Sequence, residues 1–262
     1  MIEELLLFAS LGVFAGLVAG MFGVGGGIIT VPVLVACFIS YGFDENIIIH
    51  LAIGTSLACI FFTGLSSANA HRKKKAIDFV LFKQVALGIV LGAVLGALFA
   101  IQLNGNLLKT IVGIFALIVA IQISFNLTIS MKKNDKSKEP YIVGTGIGFL
   151  STILGIGGGI FSVPYFKSSG LSMTSSVGTS AACGVPIAFF GALAYFILGL
   201  PNKDLPDLTL GYIYLPALFG ISITSVIAAK YGADIAHYIS EVTLKRLMVS
   251  LMLLISIYMF AI

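Results

Sequence analysis

A ten-residue run rich in glycine occurs twice in this chain. It reads GVGGGIITVP at residues 23–32 and GIGGGIFSVP at residues 155–164, and seven of the ten positions are identical. Glycine and proline both interrupt regular helices, and apolar sequence surrounds each run. Two copies of one interruption predict an internal duplication that carries two broken membrane helices.

The sequence around the two runs is too apolar for a water-soluble fold. Only 10% of the 262 residues are charged and 58% are hydrophobic, and the mean hydropathy is +1.09. Apolar runs long enough to cross a bilayer recur along the whole chain, and no polar block between them is large enough to fold separately. We therefore expect a single membrane domain over residues 1–262. The net charge of +4 lies in short loops, which argues against nucleic acid as a partner.

The duplication extends beyond the glycine runs. Gly144 follows Gly12 by 132 positions, which is also the offset between the two runs. A Gly-Thr-Ser triplet at residues 178–180 follows its copy at residues 54–56 by 124 positions. The one long polar segment, MKKNDKSKEP at residues 131–140, lies near the middle of the chain. We therefore predict two internal repeats joined by a basic cytoplasmic linker at 131–140, and the repeats cover residues 1–130 and 141–262.

Segment lengths and basic residues predict the topology. Residues 141–167 are too many for one crossing of about 20 residues and too few for two crossings of roughly 40. They form either a re-entrant hairpin or a single broken crossing. The hairpin places thirteen of the 15 Lys and Arg residues inside the cell, whereas the broken crossing places ten there, so the positive-inside rule favours the hairpin.

We therefore expect an all-α integral membrane protein with about ten helical elements. These form two inverted five-element repeats, with broken or re-entrant helices at the two glycine-rich motifs and both termini outside the cell. In the second repeat, residues 230–246 are predicted to be an amphipathic connection between the last two spans.

The glycine runs have a chemical consequence inside a bilayer. Unpaired backbone N–H and C=O groups are tolerated there only where protein covers them or where they line a wet cavity. A helix that starts beside such a run presents free N–H groups and about half a positive charge, which suits an anion. Two such helix ends, related by a pseudo-two-fold axis, predict an anion site near the midplane. The alternative is that the glycines only allow helices to pack closely.

The predicted substrate-binding residues are the glycines of both runs and the hydroxyl residues in and after them. The hydroxyl groups have an alternative role, since serine and threonine in spans often bond to their own helix. Catalytic residues, metals and cofactors are not expected, because the spans hold no carboxylate, Ser/His pair or Cys/His cluster, and the chain is predicted not to be an enzyme. His71 is interpreted as a solvated loop histidine. The predicted binding residues are Gly25, Gly26, Gly27, Thr30, Thr55, Ser56, Gly157, Gly158, Gly159, Ser162, Thr179 and Ser180.

These motifs together resemble a known family. Two copies of G-x-G-G-G-x-x-x-V-P, each followed by Gly-Thr-Ser in the next span, and a basic cluster at residues 71–75 are similar to the sulfite exporter TauE/SafE family, also called the toluene sulfonate uptake permease family. The resemblance implies a multi-pass protein of the prokaryotic plasma (inner) membrane that moves sulfur-containing anions such as sulfite, sulfonate or sulfoacetate.

Broken helices in inverted repeats favour a secondary transporter of small anions that works by alternating access. A passive anion channel of the same fold is the alternative. The expected partners are a small anionic substrate and the lipid bilayer, and a homodimer is compatible with the sequence. The identity of the anion, the direction of transport and any coupling ion stay open.

Overall fold

The computed structural model describes residues 2–22, 27–125 and 139–262, and these ranges contain ten α-helices and no β-strand. The prediction of an all-α membrane protein with about ten helical elements is thereby confirmed. In chain order the helices are α1 (Ile2–Phe22), α2 (Gly27–Ser40), α3 (Glu45–Lys73), α4 (Phe79–Gln102), α5 (Gly105–Ser124), α6 (Glu139–Leu154), α7 (Gly159–Ser168), α8 (Met173–Gly199), α9 (Leu215–Tyr238) and α10 (Glu241–Ala261).

Seven of these helices are long and apolar enough to cross a membrane, so the chain is a multi-pass membrane protein. They are α1, α3, α4, α5, α8, α9 and α10. The other three are shorter, at 14 residues for α2, 16 for α6 and 10 for α7. Many large apolar side chains, for example those of Val80 and Leu254, are exposed, as expected for a surface that faces lipid.

The predicted connection at residues 230–246 is wrong. Helix α9 continues to Tyr238 and α10 begins at Glu241, so only two residues separate them. Lys230, Lys245 and Arg246 are exposed and lie towards the helix ends, where lysine and arginine can reach the polar edge of a bilayer without interrupting the helix.

Two pairs of helices pack closely through glycine. Helix α1 lies along α9, and a Cβ placed on Gly16 would lie 2.5 Å from the carbonyl oxygen of Ser225. Helix α6 lies along α4, and a Cβ on Gly148 would meet the carbonyl oxygen of Ile89. Residue numbers rise together along each pair, so both pairs are parallel. These glycines serve close helix packing, as small residues do in membrane interfaces.

The other main pairs are antiparallel. Gly54 of α3 lies beside Tyr195 of α8, and Gly191 of α8 lies beside Leu57 of α3. Helices α5 and α10 pair in the same way, with Gly113 beside Met259. Suppose that each helix of α1–α5 is exchanged with the helix five places later in the chain. The parallel pair α1–α9 then becomes the other parallel pair, α6–α4. The antiparallel pairs α3–α8 and α5–α10 stay the same.

The second glycine run is a sharp turn between two helices. Helix α6 ends at Leu154, Gly155 and Gly158 have φ angles of +66° and +75°, and α7 begins at Gly159. Such positive φ angles are accessible to glycine at little cost. Helix α7 then runs antiparallel to α8, while α6 is parallel to α8, so α6 and α7 form a hairpin. At the first run, α1 ends at Phe22 and α2 begins at Gly27.

Candidate functional site

The second glycine run presents a row of free backbone donors. The carbonyl oxygen of Gly158 accepts hydrogen bonds from the N–H groups of Phe161 and Ser162, at 3.1 Å and 2.9 Å. The four preceding N–H groups have no acceptor among the described residues. Successive free N–H groups at a helix N-terminus form a concave site for an anion. The four groups belong to Gly157, Gly158, Gly159 and Ile160.

A cavity of about 540 Å³ leads to this row of donors. It is bounded by α1, α3, α7, α8 and α9, and along α3 it extends from Ile60 to Lys74, a rise of roughly 21 Å at about 1.5 Å per residue. Gly157, Gly159 and Ser180 line it next to the α6–α7 turn. The volume accommodates a hydrated small anion, since a water molecule takes roughly 30 Å³.

The other end of this cavity is basic. His71 and Lys74 at the end of α3 and Lys230 in α9 line it, and both lysine residues are exposed. No aspartate or glutamate is among the described residues that line the cavity. A cleft that is lined by positive charges and has low-dielectric walls raises the local concentration of anions.

The first glycine run has a different environment. Residues 27–32 at the start of α2 are all buried, and none of them lines the large cavity. A Cβ on Gly27 would lie 2.5 Å from the carbonyl oxygen of Gly155 and 2.9 Å from Cα of Ile156. The two runs are therefore in contact. Gly25 and Gly26 lie outside the described residues.

The serines of the predicted site lie close to the second run. The hydroxyl of Ser56 donates to the carbonyl oxygen of Gly155 at 2.9 Å. The hydroxyl of Ser162 lies 2.9 Å from the carbonyl oxygen of Gly158 and 2.6 Å from the hydroxyl of Ser180. Of these three serines only Ser180 lines the large cavity.

The threonines of the two Gly-Thr-Ser triplets connect helices. The hydroxyl oxygen of Thr55 accepts a hydrogen bond from the backbone N–H of Tyr214 at 2.9 Å, and that of Thr179 accepts one from Asp78 at 2.9 Å. Tyr214 and Asp78 are the N-cap residues of α9 and α4. Both threonines are fully buried and neither lines the large cavity.

Thr30 does not line the large cavity. It lines a small cavity of about 40 Å³ together with Cys59 and Ser225. This cavity has the volume of one or two water molecules.

Sequence reasoning missed the basic end of the cavity. His71 belongs to the last turn of α3 and lines the cavity, whereas the sequence suggested a solvated loop. The cluster at residues 71–75 did signal positive charge beside a span. Lys230 gave no such signal, because only the packing of α9 against α1 and α3 brings it to the same opening as Lys74.

Comparisons with known proteins agree with this architecture. The sequence model of the family described as Sulfite exporter TauE/SafE matches residues 8–259. A probable membrane transporter protein of Haemophilus influenzae is 34% identical, with 99% of both chains covered. One from Methanocaldococcus jannaschii is 27% identical over 97% of this chain and 94% of its own. These proteins are described as transporters and not as enzymes, and no solved structure matches the chain significantly.

Proposed function

The chain belongs to the sulfite exporter TauE/SafE family, and from this membership we propose that it is a secondary transporter of small anions that works by alternating access. The anions are sulfur-containing oxyanions or organosulfonates, namely sulfite, a sulfonate or sulfoacetate. The relatives come from bacteria and an archaeon, which supports a location in the prokaryotic plasma membrane.

One observation carries this proposal. Gly157 and Gly159, two of the four residues whose N–H groups have no acceptor among the described residues, line one end of a cavity whose other end is lined by His71, Lys74 and Lys230. Charge-assisted hydrogen bonds from backbone N–H groups to an oxyanion are about twice as strong as neutral ones. The cations draw the anion into the cavity, and the donors, with the hydroxyl of Ser180 beside them, bind it.

The helix directions support two inverted repeats. Each helix is antiparallel to its counterpart five helices later where contacts define the relation, as for α3 with α8 and α5 with α10. Helix α3 is also parallel to α9, because Thr55 contacts Tyr214 and Cys59 contacts Leu218. Inverted halves can exchange conformations, so that a site between them opens first to one side and then to the other.

The side to which the cavity opens is proposed from charge. The cavity ends at the basic cluster of residues 71–75, which the positive-inside rule assigns to the cytoplasm. The structure then represents the inward-open state, with both termini outside the cell.

Counterflow in liposomes tests the function. Purified protein is reconstituted with excess unlabelled sulfite inside, and labelled sulfite is added outside at low concentration. A carrier accumulates the label transiently above equilibrium, because exchange is faster than net flux. The same experiment with a sulfonate, sulfoacetate and an unrelated carboxylate defines the substrate class.

The controls separate the alternatives. Empty liposomes set the background, and Gly157→Ala protein, with its weaker anion affinity, should accumulate less label at low concentration. Equilibration of labelled sulfite without accumulation indicates a passive anion channel of the same fold and contradicts the carrier. Absence of flux for every sulfur anion tested contradicts the proposed substrate class.

A further inference from the structure

Five buried hydroxyl groups have no hydrogen-bond partner among the described residues, including those of Ser176 and Ser222. The other three, on α6 and in the second half of α8, do not belong to the site above. They are Oγ of Ser151, Oγ1 of Thr152 and the phenolic OH of Tyr195, and all three residues are fully buried. Burying a hydroxyl without a partner is unfavourable, and such groups are rare in folded proteins. Their positions therefore need an explanation.

The duplication shows which residues of the first half correspond to them. The offset of 132 between α1 and α6 relates Ser151 to Ala19 and Thr152 to Gly20. The offset of 124 between α3 and α8 relates Tyr195 to His71. The packing supports this register, because Gly12 lies on Ile221 and its counterpart Gly144 lies on Val85.

All three counterparts line the open cavity. Ala19 and Gly20 line it from α1, and His71 lines it at the basic end. The hydroxyl groups of Ser151, Thr152 and Tyr195 are buried, whereas the equivalent positions in the first repeat line the open cavity.

We propose that Ser151, Thr152 and Tyr195 form the polar lining of a second cavity, which opens on the opposite side of the membrane when the two halves exchange conformations. This inference rests on the proposed alternating access. In that state the three hydroxyls bind water or the oxygen atoms of the transported oxyanion.

The second cavity differs from the first in charge. The counterpart of Lys74 is Leu198, at the offset of 124. The counterpart of Lys230 is Val94, because α9 follows α4 by 136 positions, as Ile221 follows Val85. Hydroxyl groups without cations attract an anion more weakly than the basic cavity does. The half-saturating concentration is therefore higher on this side.

Aromatic side chains pack together on this second side in the structure. At the end of α3 that carries Glu45, the ring of Tyr214 packs edge-to-face on Phe38 with centroids 5.5 Å apart, and on Phe8 at 5.8 Å. Tyr41 and Phe43 complete the cluster. The cluster therefore lies on the side opposite Lys74, where the second cavity would open.

Cysteine accessibility tests the proposal. In a background with Cys37, Cys59 and Cys183 replaced by alanine, Ser151→Cys and Thr152→Cys proteins are treated with a membrane-impermeant cationic methanethiosulfonate. The reagent is added to either face of sealed vesicles of known orientation during exchange of a transported sulfonate, because sulfite itself would react with the reagent. We expect modification from the face opposite Lys74, at least tenfold faster than for the control below.

The chain offers a matched control. Ser176 is also fully buried with an unpartnered hydroxyl, but its counterpart Ala52 is buried and does not line the cavity. Ser176→Cys is therefore expected to stay unreactive from both faces, whereas Ala19→Cys reacts from the face of Lys74. The inference is overturned if Ser151→Cys and Thr152→Cys react no faster than Ser176→Cys in protein that still performs counterflow. That result would leave the proposed carrier function unaffected.

Tyr195→Phe gives a second measurement that needs no cysteine. It removes only the hydroxyl and should raise the half-saturating sulfite concentration at least threefold on the face opposite Lys74, with no change on the other face. A purely structural hydroxyl affects both faces alike, and an equal change on both faces contradicts the proposal. If the wild-type protein fails to perform counterflow, the proposed function itself is overturned, which is a different result.

Discussion

Two nearly identical glycine runs have opposite environments in this protein. At the start of α7, Gly159 and Val163 line a wide cavity, whereas Gly27 and Val31, their counterparts at the start of α2, are buried. The local sequence does not explain this difference, because seven of ten positions are the same. The packing around each run decides whether it faces water, which is the expected result if two equivalent halves take different conformations in one state.

The two Gly-Thr-Ser triplets, in contrast to the glycine runs, have the same environment in both halves. Thr55 bonds the N-cap residue of α9 and Thr179 bonds that of α4, both at 2.9 Å. The glycine before each threonine lies against a backbone carbonyl two residues before that N-cap. These contacts are the same in both halves, although the cavities differ. They connect α3 to α9 and α8 to α4, which makes these helix pairs candidates for rigid units around which the hairpins move.

The loops after the two hairpins account for part of the asymmetry. Helix α2 has 14 residues and is followed by a turn with Tyr41 and Phe43, which pack in the aromatic cluster. Helix α7 has 10 residues and is followed by residues 169–172, which include no aromatic side chain. The turn after α2 therefore contributes aromatic rings to the packing, whereas the turn after α7 contributes none.

The largest expected contrast is between Gly27→Ala and Gly157→Ala. A methyl group on Gly27 collides with the backbone of Gly155 and Ile156, and overpacking of this kind costs about 1 to 3 kcal/mol or more. Among the described residues, a methyl group on Gly157 meets only Cγ2 of Ile60, at 3.3 Å, and it would instead obstruct the proposed anion donors. We expect loss of folded protein for Gly27→Ala, and about a tenfold loss of anion affinity with normal abundance for Gly157→Ala.

Thermal unfolding in detergent and calorimetric titration with sulfite measure the two effects. Ile60→Ala in the Gly157→Ala background is a useful companion, because it removes Cγ2, relieves the methyl contact and should leave affinity low. If Gly157→Ala binds sulfite normally, the glycine run serves packing in both halves.

Thr55→Val and Thr179→Val should have equal and smaller effects. Each removes the acceptor of one buried backbone N–H, which costs about 1 to 3 kcal/mol. Because the two contacts are equivalent, the losses of thermal stability should agree within about 1 kcal/mol. Sulfite affinity of the remaining folded protein should change little. A selective loss of affinity in either variant shows that the threonine contacts substrate directly.

The smallest effect is expected at the basic end of the cavity. Lys74→Gln and Lys230→Gln together should raise the half-saturating sulfite concentration on their face about three- to tenfold at low ionic strength. The increase should shrink near 1 M salt, where the Debye length is about 3 Å. Lys203→Gln, an exposed lysine in the loop before α9, is the matched control and should have no effect on that face. An effect that is independent of salt contradicts electrostatic attraction.

Much of the architecture followed from the sequence alone. The bilayer requires long apolar helices, so apolar runs and their interruptions predicted about ten helical elements and a helix break at the second glycine run. The repeated motifs paired each element of one half with an element of the other. These are local properties, and the offsets of 132 and 124 can be read directly from the chain. The prediction of a connection at residues 230–246 was wrong, because lysine and arginine are compatible with helix ends in a bilayer.

Only the tertiary structure decided which copy of each motif meets the cavity. Lys74 and Lys230 come together because α3 and α9 pack in parallel, a contact between residues more than 150 positions apart. The threonine hydroxyls that the sequence assigned to substrate bond to the N-caps of distant helices. Such contacts depend on the positions of all the helices at once. Two copies of one motif cannot reveal which of them is open, because that depends on the conformation of the whole molecule and not on the residues of the motif.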